Sequence, residues 1–358
     1  MRRALIIGGT GLVGSAAANR LLTSGWHVDV TGRDLAHMPE SLAAAGARFI
    51  AADRSDPASL ARVADGADLI ADCICFTAGD AAGLVPLARA ANSTVMISSN
   101  AVYNDEAGNH TNSDTPPHFA GPVREGQPTM APSAGSDYQS REGYGACKVA
   151  AEQVVLDSGS PVTVLRPGKV HGPRAARPRE WVFVKRVLDG RPAVFLARRG
   201  ADVAQTVAAE NVAALIETVA DKPGRRILNS ADPDAPSALE ISRAIAGLLG
   251  HDWEEILLDD PSDPSDSAST ANSADPALGR HPWATRFPIV LDMTAALDLG
   301  YVPAGNYATT VGAEVEWLTS AAAGREGDRA LAWLSDPYFD SFFDYGREDR
   351  YLAARASA

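Results

Sequence analysis

The chain has 358 residues, of which 46% are hydrophobic and 22% charged, which is typical of one large globular domain or two smaller ones. Its 32 Lys and Arg against 45 Asp and Glu give a formal net charge of -13, which argues against nucleic-acid binding. Three cysteines are too few for a disulfide framework and favour a reducing compartment. No apolar run reaches the ~18 residues of a membrane span, and no signal peptide is evident at the start. We therefore expect a cytoplasmic protein without membrane or nucleic-acid partners.

The first predicted element is Ala4–Ile7, an apolar run typical of a strand buried on both faces of a parallel sheet. A glycine-rich turn follows it, and then a helical stretch, Ser15–Leu22. In this order, Gly8 permits a tight turn, Gly11 lets backbone N–H groups approach a pyrophosphate, and Gly14 allows the helix to pack on the strand. A glycine turn without a ligand is the alternative. The predicted dinucleotide contacts of the turn are Gly8, Thr10, Gly11, Leu12, Val13 and Gly14.

The glycine spacing, G-x-x-G-x-x-G, resembles that of the extended short-chain dehydrogenases/reductases, which include nucleotide-sugar epimerases, dehydratases and reductases. This resemblance implies an α/β fold, a Rossmann-type doubly wound parallel sheet with a smaller, discontinuous C-terminal substrate domain. The expected dinucleotide-binding domain comprises 1–167, joined again by 201–231 and about 286–303. The expected substrate-binding part comprises 168–200 and 232–285, and 304–358 form a C-terminal helix and an aromatic tail.

The end of the second predicted strand, His27–Thr31, bears on which nicotinamide cofactor binds. NAD sites usually place an acidic residue there, which bonds the ribose 2′-OH. Here Gly32 and Arg33 hold that position, and a guanidinium suits the 2′-phosphate of NADP. We therefore predict NADP. NAD is the alternative if Asp34 reaches the ribose, and the other interpretation of Arg33 is a solvated turn residue.

The third and fourth predicted strands, Arg48–Ala52 and Asp68–Phe76, end near the cofactor. The third leads into a segment that resembles the family's Asp-x-x-Asp, and the resemblance implies that its first carboxylate bonds the adenine amino group. The fourth brings its carboxyl end to the same edge of the sheet. The residues that we expect beside the cofactor are Asp53, Arg54, Phe76 and Thr77.

Tyr144 and Lys148 stand four residues apart at the entrance of a predicted helix, so their side chains lie on one face. A free Tyr has a pKa near ~10 and is a poor base at neutral pH. An adjacent ammonium, together with an oxidised nicotinamide, favours the phenolate and makes Tyr144 an acid/base group. Taken alone, such a pair usually marks an exposed helix face. We also expect Lys148 to bond the nicotinamide ribose.

The fifth predicted strand, Thr94–Ile97, ends in two serines, Ser98 and Ser99. In the family, the catalytic hydroxyl lies four residues before the Tyr of this segment, and counting back from Tyr103 selects Ser99. The resemblance thus implies three catalytic residues: Ser99, Tyr144 and Lys148. Its sugar dehydratases carry Asp-Glu directly after that hydroxyl, where this chain has Asn100 and Ala101. This departure disfavours 4,6-dehydration and leaves epimerisation or carbonyl reduction.

After the sixth strand, the segment Arg166–Pro173 resembles the family's Arg-Pro-x-Asn-Val-Tyr-Gly-Pro. The resemblance implies that Pro167 and Val170 lie against the nicotinamide. Lys169 replaces the Asn and His171 the Tyr, so His171 is either a general base or an aromatic-shaped packing replacement. Lys185 and Arg186 on a predicted helix face either a diphosphate or solvent. The candidate substrate contacts are Asn100, Lys169, His171, Lys185 and Arg186.

The remaining segments are less informative. We expect Asn104–Gly143 to form a lid or substrate loop, because a connection this long in a compact domain is usually functional. His110 and His118 within it lack metal-ligand spacing, so no metal is expected. The Asp-, Ser- and Pro-rich stretch 259–276 is expected to be a surface loop, and the aromatic tail to dock on the body or on a second subunit.

From these observations we expect an NAD(P)-dependent oxidoreductase or epimerase of the extended short-chain type. Hydride transfer would occur at a carbinol or keto carbon of a sugar-like substrate, with Tyr144 as acid/base. A nucleotide-linked sugar is implied by the family alone. The alternative is a catalytically silent NADP(H)-binding regulator or scaffold. The expected partner is a small molecule, and a homodimer is left open.

Overall fold

Two units make up the chain in the computed structural model, which describes residues 2–260, 277–325, 333 and 336–357. The first unit comprises Met1–Val170, Gln205–Asp234 and Ile289–Asn306. The second unit comprises His171–Ala204, Ala235–Pro288 and Tyr307–Ala358, so the chain passes between them several times. Residues 261–276 of the expected surface loop lie outside the described part of the chain.

The strands, in chain order, are β1 Arg3–Ile7, β2 His27–Gly32, β3 Arg48–Ala51, β4 Leu69–Asp72, β5 Ser93–Ile97, β6 Val162–Pro167, β7 Lys169–His171, β8 Ala193–Leu196, β9 Thr206–Ala208, β10 Arg226–Ser230 and β11 Glu254–Leu257. The α-helices are α1 Leu12–Thr23, α2 Glu40–Ala44, α3 Pro57–Ala64, α4 Ala78–Ala90, α5 Gly143–Asp157, α6 Trp181–Leu188, α7 Ala209–Ala220, α8 Ala238–Leu248, α9 Thr294–Asp298, α10 Tyr307–Thr310, α11 Gly312–Ala322 and α12 Tyr345–Ala356. None of the described helices has both the length and the apolar character that a membrane crossing requires.

A seven-stranded parallel sheet, in the order β10-β6-β5-β4-β1-β2-β3, organises the first unit. Side chains alternate between its two faces, so that Ala4 and Ile6 pack in one core while Leu5 and Ile7 pack in another. Helices α1 and α7 cover the first face, and α3, α4 and α5 cover the second. The strand order reverses between β1 and β4, where doubly wound sheets bind their ligands. The predicted α/β, doubly wound fold is confirmed.

Two predicted elements differ from the structure in their ends. Strand β4 ends at Asp72 rather than at Phe76, because the Asp72 carboxylate accepts the Ile74 N–H at 3.0 Å and turns the chain away from the sheet. Helix α5 begins at Gly143, before both Tyr144 and Lys148, so that both residues lie inside the helix.

The second unit holds its own apolar core, built largely from aromatic side chains. Phe183 of α6 stacks on Trp283 with ring centroids 5.7 Å apart. Trp333 of the aromatic tail packs edge-on against Trp181 at 4.9 Å, and Phe339 joins the same cluster. The tail thus docks within the second unit.

The closest packing in the glycine turn is at Gly14, in the first turns of α1. A Cβ added there would lie 2.3 Å from the Gly8 carbonyl oxygen and 2.7 Å from the Gly9 Cα, both backbone atoms. We expect Gly14→Ala to lower the free energy of unfolding by about 3 kcal/mol. Gly83→Ala in α4 is the matched control, because nothing lies within 4 Å of its added Cβ, and it should stabilise by up to about 1 kcal/mol. Urea denaturation measures both, and equal effects would contradict the close approach of α1 to β1.

Candidate active site

The glycine turn between β1 and α1 leaves an open helix N-terminus. Gly8 has a φ of +78°, which glycine adopts without strain, and its carbonyl oxygen accepts the Gly11 N–H at 3.1 Å. Gly11 is the N-cap residue of α1 and has no side chain to cap the helix, and the first turn carries no acidic residue. The first N–H groups are therefore suited to an anion such as a pyrophosphate. Thr10, Leu12 and Val13 belong to the same turn.

Lys148 is almost fully buried at the centre of the first unit, with 1% of its surface exposed. Its ammonium donates to the carbonyl oxygens of Cys75 at 2.7 Å and of Ile97 at 2.9 Å. These acceptors follow β4 and end β5, so the lysine side chain joins two neighbouring strand ends. Burial lowers the pKa of Lys148 to about 8. An ammonium has three N–H donors, so one remains for a further acceptor.

Tyr144 lies one helical turn before Lys148 on the same face of α5, and the Lys148 ammonium is 5.8 Å from its ring centroid. Burial raises the pKa of Tyr144, while the hydroxyl of Ser99 opposes that rise. The expectation that the neighbouring ammonium and an oxidised nicotinamide together favour the phenolate stays a prediction, because it includes the bound cofactor. In the chain by itself, desolvation of the ring has the larger effect on the pKa of Tyr144. Tyr144 is therefore a phenol at neutral pH.

The two serines after β5 face different partners. Ser98 is buried and donates its hydroxyl hydrogen bond to Glu152 of α5. Ser99 is half-buried, accepts the Ala101 N–H at 3.1 Å, and lies beside Tyr144. The structure thus brings Ser99, Tyr144 and Lys148 together and leaves Ser98 to a separate contact.

Phe76 and Thr77 follow β4 next to the lysine. The Lys148 ammonium lies 4.4 Å from the centroid of the Phe76 ring, which stacks on Tyr138 at 5.2 Å. The Thr77 hydroxyl caps α4 by accepting the Asp80 N–H, and Asp80 accepts the Phe76 and Thr77 N–H groups in return. This capping box fixes the loop between β4 and α4.

Arg54 lies between two carboxylates of the first unit. Its guanidinium pairs with Asp80 at 3.1 Å and with Asp72, which is fully buried at the end of β4. Burial raises the pKa of Asp72, and the charge of Arg54 opposes this. These ion pairs account for the position of the Arg54 guanidinium, and its cofactor contact stays a prediction. The pairing with Asp72 was not predicted from the sequence, although an acid inside an apolar strand run signals a buried partner.

Arg33 and Asp53 are both exposed at the carboxyl edge of the sheet, after β2 and β3. Hydrogen bonds from Ser55 and, more weakly, the charge of Arg33 lower the pKa of Asp53. Asp34 uses one carboxylate oxygen to accept the Ala36 N–H at 2.9 Å. This cap favours Arg33 over Asp34 as the residue that is available to a cofactor.

Four further predicted contacts lie in the first unit. Asn100 opens a short 3-10 helix directly after Ser99. Pro167 ends β6, and Lys169 and Val170, both half-buried, continue into β7. The expected lid, 104–143, is anchored to the first unit by single bridges from Tyr103 to Thr129 and from Val123 to Leu291.

The other three predicted substrate contacts lie in the second unit. Arg186 is buried there, and its guanidinium donates to Glu348 and to the Phe342 carbonyl oxygen, each at 2.7 Å. Its guanidinium is therefore bonded to protein acceptors and closed to solvent, so the structure does not support a substrate contact at Arg186. Lys185 forms an ion pair with Asp189 one turn later, at 2.7 Å.

His171 is buried beside two carboxylates of the second unit. Its Nδ1 lies 3.9 Å from Glu314, and one ligand atom each of His171, Glu180 and Glu314 lie within 4.8 Å of one another. Burial and the charge of Glu180 raise the pKa of Glu314 well above its usual range. A proton held between the two carboxyl groups accounts for their approach. Burial also favours the packing interpretation of His171.

The glycine turn, the Tyr–Lys helix face and the serine together resemble one known family. The family model described as the NAD dependent epimerase/dehydratase family matches residues 4–230. The chain belongs to this family. The predicted resemblance to extended short-chain dehydrogenases/reductases is confirmed. A search of curated proteins gave no match.

Solved structures of enzymes share the fold across most of this chain. A dTDP-glucose 4,6-dehydratase from Bacillus anthracis with NAD is 15% identical, with a TM-score of 0.64 over 90% of this chain and 98% of the other. A UDP-glucuronic acid 4-epimerase from Bacillus cereus with UDP-glucuronic acid and NAD is 16% identical, with a TM-score of 0.63 over 89% and 99%. A UDP-glucose 4-epimerase from Thermus thermophilus with NAD is 18% identical, with a TM-score of 0.61 over 89% and 99%.

The lowered pKa of Lys148 predicts how folding stability depends on pH. The folded chain releases this proton near pH 8, whereas the unfolded chain keeps it up to the ordinary pKa of 10.5. The folded state therefore binds fewer protons between these values, and the free energy of unfolding should rise with pH by up to about 3 kcal/mol. Lys148→Met should lack this rise. Denaturation of both proteins across that range measures it, and parallel pH curves would contradict a buried, destabilised ammonium.

Proposed function

We propose that this chain is an NADP(H)-dependent enzyme that transfers hydride at a carbinol or keto carbon of a sugar-like, nucleotide-linked substrate. The observation that carries the proposal is the arrangement of Tyr144, Lys148 and Ser99. One phenol and one buried ammonium lie on the same face of α5, and the phenol lies beside the hydroxyl of Ser99, two residues after the end of β5.

The first unit offers groups that suit each part of a dinucleotide. The open N-terminus of α1 suits the pyrophosphate, and the remaining N–H donor of Lys148 suits a ribose hydroxyl. Arg33 is exposed where a 2′-phosphate would lie and gives the preference for NADP over NAD. When bound, the nicotinamide supplies or accepts the hydride. The NAD that the similar solved structures contain supports a nicotinamide cofactor of this kind.

Proton transfer falls to the side chains of the chain itself. Ser99 would bond the substrate oxygen and orient it, and Tyr144 would give a proton to that oxygen or take one from it. Because Tyr144 is a phenol at neutral pH, it is prepared to donate its proton. This protonation state supports reduction of a carbonyl, in which the keto carbon would accept the hydride and its oxygen the Tyr144 proton. In an epimerisation, the carbinol would be oxidised first and the hydride would return to the other face of the keto carbon, so that this reduction would be the second half.

Dehydration is disfavoured by the residues after Ser99. Asn100 has no proton to exchange at neutral pH, and Ala101 is buried and apolar. The similar dTDP-glucose 4,6-dehydratase shares the fold, but the likeness carries no residue role at 15% identity. The nucleotide-linked substrate is likewise proposed by analogy with the sugar nucleotides in the titles of the similar enzymes.

Tyr144→Phe tests the acid/base role directly. The ring and its packing are kept and only the hydroxyl is lost, so we expect turnover to fall by about a thousandfold or more. The dissociation constant for NADPH should stay within about threefold. Screening a panel of nucleotide sugars and ketones with NADPH consumption and product analysis measures turnover. Full activity in the variant would contradict the acid/base role of Tyr144. Dinucleotide binding with no turnover by the wild type would instead indicate a silent NADP(H)-binding protein.

Arg33→Ala tests the cofactor preference. Loss of a charge-assisted contact to the 2′-phosphate should raise the dissociation constant for NADPH by about tenfold or more and leave that for NADH unchanged. Arg62→Ala removes another exposed arginine of the first unit, on α3, and serves as the matched control. Fluorescence titration with both dinucleotides measures the effect. Tighter binding of NADH than of NADPH by the wild type would overturn the assignment of NADP.

A further inference from the structure

Three consecutive residues at the end of β5 each face a different turn of α5. The Ile97 carbonyl oxygen accepts from Lys148, the Ser98 hydroxyl donates to Glu152, and Ser99 lies beside Tyr144. The three helix residues follow one another at intervals of four, so they lie along one face of α5. Tyr144 and Lys148, the proposed catalytic groups, lie on the first two turns of this face, and Glu152 lies on the third.

Glu152 is held in place by a buried ion pair. Arg166 of β6 donates from Nε to Glu152 Oε1 at 3.0 Å and from Nη2 to Oε2, and both side chains are under 5% exposed. Burial alone would lower the pKa of Arg166, but its hydrogen bonds to Glu152 raise it overall. Such a bidentate pair fixes the orientation of a carboxylate as well as its position.

The arginine is fixed in turn by other residues of the first unit. Its Nη1 donates to the Glu125 carbonyl oxygen at 3.2 Å, and its guanidinium lies 4.8 Å from the Tyr103 ring centroid. The Tyr103 hydroxyl donates to Asn229 Oδ1 at 2.6 Å. The Ser98 N–H also donates to the Leu165 carbonyl oxygen at 2.7 Å, next to Arg166. Glu152 therefore offers Ser98 a rigid acceptor.

We propose that Glu152 is a positioning residue for the hydride-transfer chemistry. It accepts the Ser98 hydroxyl and so fixes the peptide from which Ser99 reaches Tyr144. This inference rests on the proposed function. Side chains of neighbouring residues in an extended segment point in opposite directions, so anchoring Ser98 on one side sets where the Ser99 hydroxyl lies on the other.

Ser98→Ala tests the proposal, because it removes the link to Glu152 and leaves the Glu152–Arg166 pair intact. Thr94→Val is the matched control. Thr94 is also a buried hydroxyl of β5, but its oxygen has no hydrogen-bond partner among the residues that the structure describes. We expect Ser98→Ala to lower kcat about tenfold, with KM and the NADPH dissociation constant within about twofold. Thr94→Val should leave all three within about twofold of wild type.

The protonation of Tyr144 gives a second readout that needs no substrate. The Ser99 hydroxyl lowers the pKa of Tyr144, so a displaced Ser99 should let that pKa rise in Ser98→Ala. NMR titration of labelled tyrosines measures it, with the Tyr144 signal assigned by its absence in Tyr144→Phe. A Tyr144 pKa equal to that of wild type overturns the positioning role, whether or not a substrate is found. A second result would also overturn the positioning role: turnover is lost in Tyr144→Phe, but kcat of Ser98→Ala equals that of Thr94→Val. In that case the proposed function still stands.

Discussion

The buried ammonium of Lys148 is the constraint on which the geometry of the first unit depends. An ammonium without water must be hydrogen-bonded, and here the carbonyl oxygens of Cys75 and Ile97 supply the bonds. Cys75 can face the lysine only because β4 ends at Asp72 and the chain turns there. The Arg54–Asp72 pair and the capping box of α4 hold that turn. The bond from Lys148 to Cys75 thus helps to fix the loop between β4 and α4, which is proposed to adjoin the cofactor.

Much of this arrangement follows from the sequence because it depends on local patterns. Apolar runs of four or five residues predict the buried strands of a parallel sheet, and the glycines predict the turn that β1 and α1 require. The spacing of Tyr144 and Lys148 predicts a shared helix face, since four residues complete about one turn. Counting within the family segment selects Ser99 over Ser98 as the catalytic hydroxyl, and the structure gives Ser98 another partner, Glu152.

The sequence does not predict contacts between charges that are distant along the chain. Arg186 meets Glu348 and Arg54 meets Asp72 only after folding, and each arginine by itself resembles a binding residue. The raised pKa of Tyr144 depends on how deeply the ring is buried, which no spacing encodes. Glu152 did carry a signal, because it stands four residues after Lys148. Its role becomes visible only with Ser98 and Arg166 beside it.

The most direct test of the central claim is a crystal structure of this chain with a bound nicotinamide dinucleotide. We predict that the pyrophosphate lies on the N–H groups at the start of α1 and that a ribose hydroxyl of the nicotinamide half accepts the remaining N–H of Lys148. The Tyr144 hydroxyl should face the reactive carbon of the ring. A dinucleotide bound away from the glycine turn, or one whose ribose is remote from Lys148, would contradict the account.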